Sequence, residues 1–281
     1  KIKKSVKSGE DNRIKLETVK IMQDFSYKVY LVKNARLYTD RIQDAAIIID
    51  NKIIEGASFQ LRKNNANSKV NENIVFQKGT PRILRKLNGS VLSLLTGGGG
   101  NNNYWHWMYD VLPRLKICEK LKNLQSIDYF LLPDSKQNFQ KETLRFLGFK
   151  EDKILSSEKY RHIKANEIIV TDHPYMFTDD PHIDAQKIPN WIMDWLKEKF
   201  LINLKKSRIS FPKKIYIDRS DSKSNVAHLR TVKNEKEIQK FLTDRSFETI
   251  KLSDLSFHDQ VQLFNNADFI IGLHGSGFAN I

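Results

Sequence analysis

One cysteine, Cys118, in 281 residues excludes an internal disulfide framework and suits a reducing compartment. No run of about 18 apolar residues occurs, so no segment is built to span a bilayer as a helix. No secretory leader is visible, and the chain opens on Lys1, which leaves its natural start open. Acidic residues are in deficit, 33 against 47 Lys and Arg, for a formal charge of +14. That excess admits three partners: nucleic acid, an anionic membrane surface or an anionic small substrate. Because the basic residues are scattered along the chain, charge alone does not choose among them. Hydrophobic residues at 40% are enough for true cores and exclude global disorder. The length fits two domains or one large one.

Residues 1 to about 25 are polar and basic with little periodicity, and are expected as a peripheral lead-in. Short β-like runs follow at Lys28–Val32 and Ala45–Ile49, and a further apolar run lies at Leu84–Leu95. The glycine-asparagine tract Gly97–Asn103 reads as a turn. Behind it Trp105, Met108, Leu112, Leu115 and Leu121 give helical spacing with Asn103 as N-cap, and Pro113 is expected to kink that helix around Tyr109. Ile127–Leu132 reads as a strand, Gln137–Leu147 as a helix closed by Gly148, and Glu167–Val170 as a strand. The proline-bearing stretch 171–189 is expected as an inter-domain connection or a binding loop. A helix over Asn190–Leu204 sets Trp191, Ile192, Trp195, Leu196 and Phe200 near one face.

The C-terminal part is the most regular. Lys214–Asp218 is a strand, and Asn234 with Glu237 forms a capping-box-like start to a helix whose inner stripe is Ile238, Phe241 and Leu242. Phe247–Leu252, a helix from Ser256, and a buried strand over Asp268–Leu273 complete a β-α-β-α-β order, which predicts a parallel sheet with helices on its faces. The expected organisation is a lead-in over 1–25, an α/β domain over 26–185 and a Rossmann-like domain over 186–281.

Three groups of residues carry chemistry. His106, Asp110 and Arg114 are four residues apart, so on a helix the imidazole and carboxylate can hydrogen-bond and Asp110 can pair with Arg114. A carboxylate that orients an imidazole is a common way to build a general base, although a histidine between Trp105 and Trp107 is equally suited to packing. Arg219, with Arg230 and Lys233 further on, follows the strand ending at Asp218, where open α/β sheets bind ligands. Guanidinium forks suit phosphate, and a solvated basic loop is the plainer reading. The turn His274-Gly275-Ser276-Gly277 could bring an anion close to backbone N–H groups at a helix start. It is neither a phosphate loop with G-K-[ST] nor a complete G-x-G-x-x-G, and no G-x-S-x-G elbow or D-x-D sequence accompanies it. His173, Asp179, His182 and Asp184 cluster without ligand spacing, so no metal is expected.

Two blocks resemble glycosyltransferase family 61, the capsular polysaccharide biosynthesis type. Asn103, Tyr104, His106, Trp107, Asp110, Leu112, Pro113 and Arg114 are similar to its N-Y-x-H-W/F-x-x-D-x-L-P-R-L segment. The other block runs from Ile215–Arg219 through Arg230, Asn234, Glu235, Leu255, Gln260, Phe264 and Ala267 to Ile271–Asn280, with Ser276 where the family usually has alanine. The resemblance implies a GT-B-like α/β fold, two Rossmann-like domains facing a cleft, with the C-terminal one incomplete because the sequence stops where a helix should start. It implies inverting transfer of a sugar from a nucleotide-sugar co-substrate, commonly UDP-linked, to a glycan or lipid-linked glycan hydroxyl in bacterial cell-surface polysaccharide synthesis. No obligatory metal or other cofactor is implied. His106 and Asp110 fall on the acceptor side, either one as the base. Arg114, Arg219, Arg230, Asn234, Glu235, His274, Gly275, Ser276 and Gly277 form the substrate- or donor-binding set, with Arg219, Arg230 and the Gly275–Gly277 amides at the diphosphate. A cytoplasmic location at the inner face of the membrane, with anionic lipid and not nucleic acid as a further partner, is the accompanying expectation. The alternative is a non-catalytic nucleotide- or glycan-binding protein of the same fold.

Overall fold

The computed structural model describes residues 2–41, 44–58, 70–95, 103–133, 136–178, 180–202, 204, 210–220 and 232–280. The chain divides into two units, Lys1–Lys136 with Gly148–Leu196, and Gln137–Leu147 with Lys197–Ile281.

In chain order the first unit contains β1 (Lys4–Val6), β2 (Ile14–Met22), β3 (Phe25–Lys33), β4 (Arg36–Arg41), β5 (Asp44–Ile49), β6 (Lys52–Ile54), α1 (Ile74–Lys78), β7 (Arg85–Ser93), α2 (Tyr104–His106), α3 (Pro113–Glu119) and β8 (Tyr129–Leu132). After α4 (Asn138–Phe146), which belongs to the second unit, come β9 (Ile154–Ser156), β10 (His162–Thr171), α5 (Pro181–Asp184) and most of α6 (Asn190–Leu201). The ten strands form one sheet of order β1-β6-β5-β4-β10-β7-β8-β9, with β3 sharing an edge of β10 and pairing with β2. β10, β7, β8 and β9 are mutually parallel. The chain steps from β7 to β8 and β9 on one side, then returns as β10 on the other side of β7. Strand order therefore reverses between β7 and β10, and the crevice beyond their C-terminal ends is where such sheets bind ligands.

The first 25 residues are not a peripheral lead-in. β1 pairs with β6, β2 pairs with β3 along nearly its whole length, and Ile2, Val6, Ile14 and Val19 are buried. Burial along β2 does not alternate cleanly, since its buried Ile14 and Val19 are five residues apart with lysines beside both, which hides the strand period in the sequence. Tyr27 of β3 is fully buried and donates its hydroxyl to the Pro174 carbonyl at 2.8 Å, while Trp191 Nε1 donates to that hydroxyl at 2.8 Å. The N-terminal hairpin thereby holds the segment that follows β10.

A bulge breaks the β7–β10 ladder, where the register shifts between Ala165 and Glu167. Gly89 sits opposite it with φ +113°, and a Cβ there would stand 2.4 Å from Asp128 Oδ2. That carboxylate accepts from the Ser90 amide at 2.7 Å and the Ser90 hydroxyl at 3.0 Å. Gly89→Ala should therefore cost about 1–3 kcal/mol, read as a lowered midpoint in urea titration.

The second unit adds β11 (Lys214–Asp218), α7 (Glu235–Thr243), β12 (Glu248–Lys251), α8 (Phe257–Asn266) and β13 (Phe269–Gly272). Its sheet has the order β12-β11-β13, all parallel, as the alternating pattern predicts. Because β12 and β13 flank the first strand on opposite sides, this sheet also has a reversal point, between β11 and β13. α4 packs on α8 here: the Phe257 amide donates to Glu142 Oε2 at 2.5 Å, and the Phe200 ring touches Phe146 and Phe257.

Three local expectations need correction. Asn234 is the N-cap residue of α7 but makes no side-chain cap bond, since its amide donates to the Glu237 carboxylate instead. Phe241 is 54% exposed under the Arg245 guanidinium and is not on the inner face. β13 is not a buried strand either, because Phe269 and Ile271 point outward. Among the described residues, no helix is long and apolar enough to cross a membrane.

Candidate functional site

The helix after β7 begins as predicted, with the Asn103 side chain accepting from the Trp105 amide at 2.9 Å. Pro113 acts differently from the expected kink. A proline ring in an α-helix would collide with the carbonyl four residues back, that of Tyr109. The chain avoids this by widening into a π turn over Trp107–Val111, in which the Leu112 amide reaches the Trp107 carbonyl at 3.1 Å, and Pro113 then opens α3. Trp107 and Val111 are fully buried on this segment, and Trp105 lies on Tyr109 with ring centroids 4.3 Å apart.

The π turn presents a four-residue polar cluster. His106 Nδ1 lies 2.7 Å from Asp110 Oδ2, and Tyr175 donates its hydroxyl to Asp110 Oδ1 at 2.7 Å. His173 accepts the Tyr175 and Met176 amides on Nδ1, so its proton is on Nε2, 3.8 Å from Asp110 Oδ2. Asp110 is wholly buried, whereas the His106 side chain keeps 28% of its surface open.

Burial opposes ionisation of Asp110, but hydrogen bonds from His106 and His173 outweigh it and hold the carboxyl well below its ordinary range. His106 is likewise desolvated, yet bonding and attraction to Asp110 raise it above the usual imidazole range. For His173, burial prevails and keeps the ring neutral. The result is one carboxylate shared by an open imidazole that it makes more basic and a closed one that only supports it.

Arg114 does not form the expected ion pair with the Asp110 side chain. Its Nε donates to the Asp110 carbonyl at 3.1 Å and Nη1 to the Thr171 carbonyl at 3.1 Å. It is 2% exposed, and burial pulls its guanidinium down to about 10. These two hydrogen bonds make it a buried pin between the π turn and the end of β10.

The stretch 171–189 is a part of the first unit and not a connection between units. His173 and Tyr175 turn inward, and Asp184 spends its carboxylate on the Phe177 and Thr178 amides. Among the described residues no group of three or more His, Cys, Asp or Glu is placed to hold a metal. Asp179 lies outside the described residues, as do Arg230 and the glycine tract 97–100. Tyr175 is not singled out in the sequence, and His173 is weighed there only as a metal ligand, yet both belong to the cluster. Their signal was position, two and four residues beyond a strand end.

In the second unit, Arg219 follows β11 and donates through Nη1 to the His274 carbonyl, the first residue of the turn after β13. A Cβ on Gly275 would stand 2.9 Å from Arg219 Cζ, so the glycine makes room for the guanidinium. Gly277 has a different reason: its missing Cβ would meet Leu252 Cδ1 at 2.6 Å. A five-residue 3-10 turn, Ser276–Asn280, follows. A recess of about 200 Å³ opens beside Arg219, lined also by Asp218, Ser220, Val232, Glu235 and Leu273. Glu235 accepts the Tyr216 hydroxyl at 2.6 Å. Arg219, His274, Gly275 and Glu235 are thus brought to one strand-end region, while the Asn234 side chain is occupied with Glu237.

Each unit therefore carries polar, charged side chains at a reversal point between parallel strands, the arrangement of ligand-handling α/β proteins. Residues 104–281 match Glycosyltransferase 61, and the chain belongs to that family of glycosyltransferases. The resemblance drawn from its two sequence blocks is borne out. No curated protein is a significant match to the chain.

Proposed function

We propose that the protein is an inverting glycosyltransferase of the GT-B type that moves a sugar from a UDP-linked donor to a glycan hydroxyl, in cell-surface polysaccharide synthesis. The 2.7 Å contact between His106 Nδ1 and buried Asp110 carries the reading. With Nδ1–H given to the carboxylate, the neutral ring has its lone pair on Nε2, on the part of the side chain that is open. Nε2 takes the proton of the acceptor hydroxyl as that oxygen attacks the anomeric carbon. The bond from that carbon to the diphosphate breaks, and configuration inverts. Asp110 then faces an imidazolium at hydrogen-bond distance. Both of its oxygens already accept hydrogen bonds and none of its surface is open, so His106 is the base and Asp110 the orienting group.

Donor binding is assigned to the second unit. Arg219 supplies the positive charge for the leaving diphosphate, supported by the Gly275 backbone it packs on, with Glu235 and Tyr216 at the same recess. The recess is smaller than the ~300–1,000 Å³ of complete ligand sites, so it takes one portion of the donor. The experiment is release of UDP from UDP-sugars by the purified protein, with UDP affinity measured by thermal shift. Arg219→Ala should weaken UDP binding roughly 10- to 100-fold, the loss of a charged hydrogen-bond donor to an anion. Binding of UDP with no turnover on any UDP-sugar and acceptor would favour a non-catalytic binding protein instead.

A further inference from the structure

The first unit has a second polar region at the other end of the same strands. The segments 81–86 and 159–164 hold six Lys and Arg residues and no acid. They meet at the N-terminal ends of β7 and β10, where Lys86 pairs in register with Lys164, and Lys164 with Arg36 of β4. Residues paired in register point to the same face of a sheet, so the two exposed lysines stand side by side, with the Arg36 guanidinium beyond them held by Asn51 and His162. Neither Lys86 nor Lys164 has an acidic partner among the described residues.

Immediately before β7 an apolar tip projects beside these lysines. Ile83 is 85% exposed and Leu84 is 38% exposed, with Arg82 and Arg85 on either side. The tip is fixed in place, since His162 Nδ1 donates to the Arg82 carbonyl at 2.9 Å. Of the two aromatic rings in these segments, Tyr160 is covered by Arg85 and Lys159 and His162 is buried, so neither offers a stacking surface for a base. Phosphate alone would explain the cations but not the rigid presentation of Ile83. A bilayer explains both, with anionic headgroups at the two lysines and the upper acyl region for the apolar tip.

We propose that this edge docks the protein on an anionic lipid bilayer through insertion of Ile83 and Leu84 between headgroups bound by Lys86 and Lys164. The docking edge is distant from the chemistry. Thr171, whose carbonyl anchors Arg114, is the seventh residue after Lys164, a rise of about 23 Å along β10. The inference goes beyond the transfer reaction and does not depend on it.

The test is co-sedimentation with vesicles of phosphatidylcholine alone or with about a quarter phosphatidylglycerol, at low and high salt. Wild type should bind the anionic vesicles, bind neutral ones weakly, and release as salt rises. Ile83→Asp and the pair Lys86→Glu with Lys164→Glu should each reduce anionic-vesicle affinity at least tenfold. All three positions are exposed, and unchanged far-UV circular dichroism and UDP thermal shift serve as the folding controls. Equal binding by wild type and variants overturns the proposal, as does failure of wild type to bind at low salt. Binding to duplex DNA or RNA tighter than to vesicles, and indifferent to Ile83→Asp, overturns it in favour of a nucleic-acid surface. None of these outcomes touches the transferase assay, so the two readings fail separately.

Discussion

His106→Ala is expected to lower sugar transfer by about 10²–10⁴-fold, the usual worth of a positioned proton acceptor, with UDP affinity unchanged. The loss should fall on kcat. His106 belongs to the first unit, whereas the diphosphate contacts assigned above come from Arg219 and the turn of the second. The pH profile gives an independent check. A base must be unprotonated to act, so the rate should rise with pH through the folded-state pKa of His106, which lies above the ordinary imidazole range because Asp110 outweighs the cost of burial. An acid limb below about 6.5, the unperturbed value, would remove His106 from the role. So would an alanine variant with wild-type kcat. His106→Gln keeps a polar side chain of similar reach and should be as inactive as alanine, which separates proton transfer from packing.

Much of this arrangement can be read from residue order, and the remainder fails for identifiable reasons. The β-α-β-α-β pattern from Lys214 to Gly272 is legible because each element is short and separated by polar turns; Ser256, for instance, caps α8 by accepting from the Asp259 amide. The His106–Asp110 bond is legible because four-residue spacing survives the switch from α to π geometry. What cannot be read is tertiary. Arg114 looks like the third member of an ion-pair ladder, but the π turn directs its guanidinium to two carbonyls. His173 and Tyr175 sit in a proline-bearing stretch that resembles a connection. Their relation to Asp110 depends on β10 returning beside β7, a pairing across more than 70 residues that no local pattern encodes. The hairpin of β2 and β3 was hidden for a similar reason, because its function is to hold Pro174 through Tyr27, and only the folded sheet brings those residues together.

Asp110→Asn should be nearly as damaging as loss of the imidazole, and for a reason particular to this cluster. In the wild type both carboxylate oxygens accept, one from Tyr175 O–H and one from His106 Nδ1–H. An amide has a single acceptor oxygen. If that oxygen keeps the Tyr175 hydroxyl, the NH₂ group faces His106 Nδ1 and can only donate, which moves the ring proton to Nε2 and leaves no lone pair for the acceptor hydroxyl. If it keeps His106, the tautomer survives but the amide N–H faces Tyr175, whose hydroxyl must rotate to accept it and so loses the acceptor for its own buried O–H, at a cost of about 1–3 kcal/mol for an unsatisfied group. Either outcome also removes the negative charge, so burial of His106 is no longer opposed and its pKa falls below the ordinary range. The expected result is a loss of about 10²-fold or more in kcat, with the acid limb of the profile moved to lower pH. The pair Asp110→Asn with Tyr175→Phe supplies the discriminating measurement. It frees the amide oxygen to accept from His106 without stranding the Tyr175 hydroxyl, so it should recover part of the lost rate. A double variant no more active than Asp110→Asn alone would mean that the carboxylate acts through its charge and not by fixing the tautomer of His106.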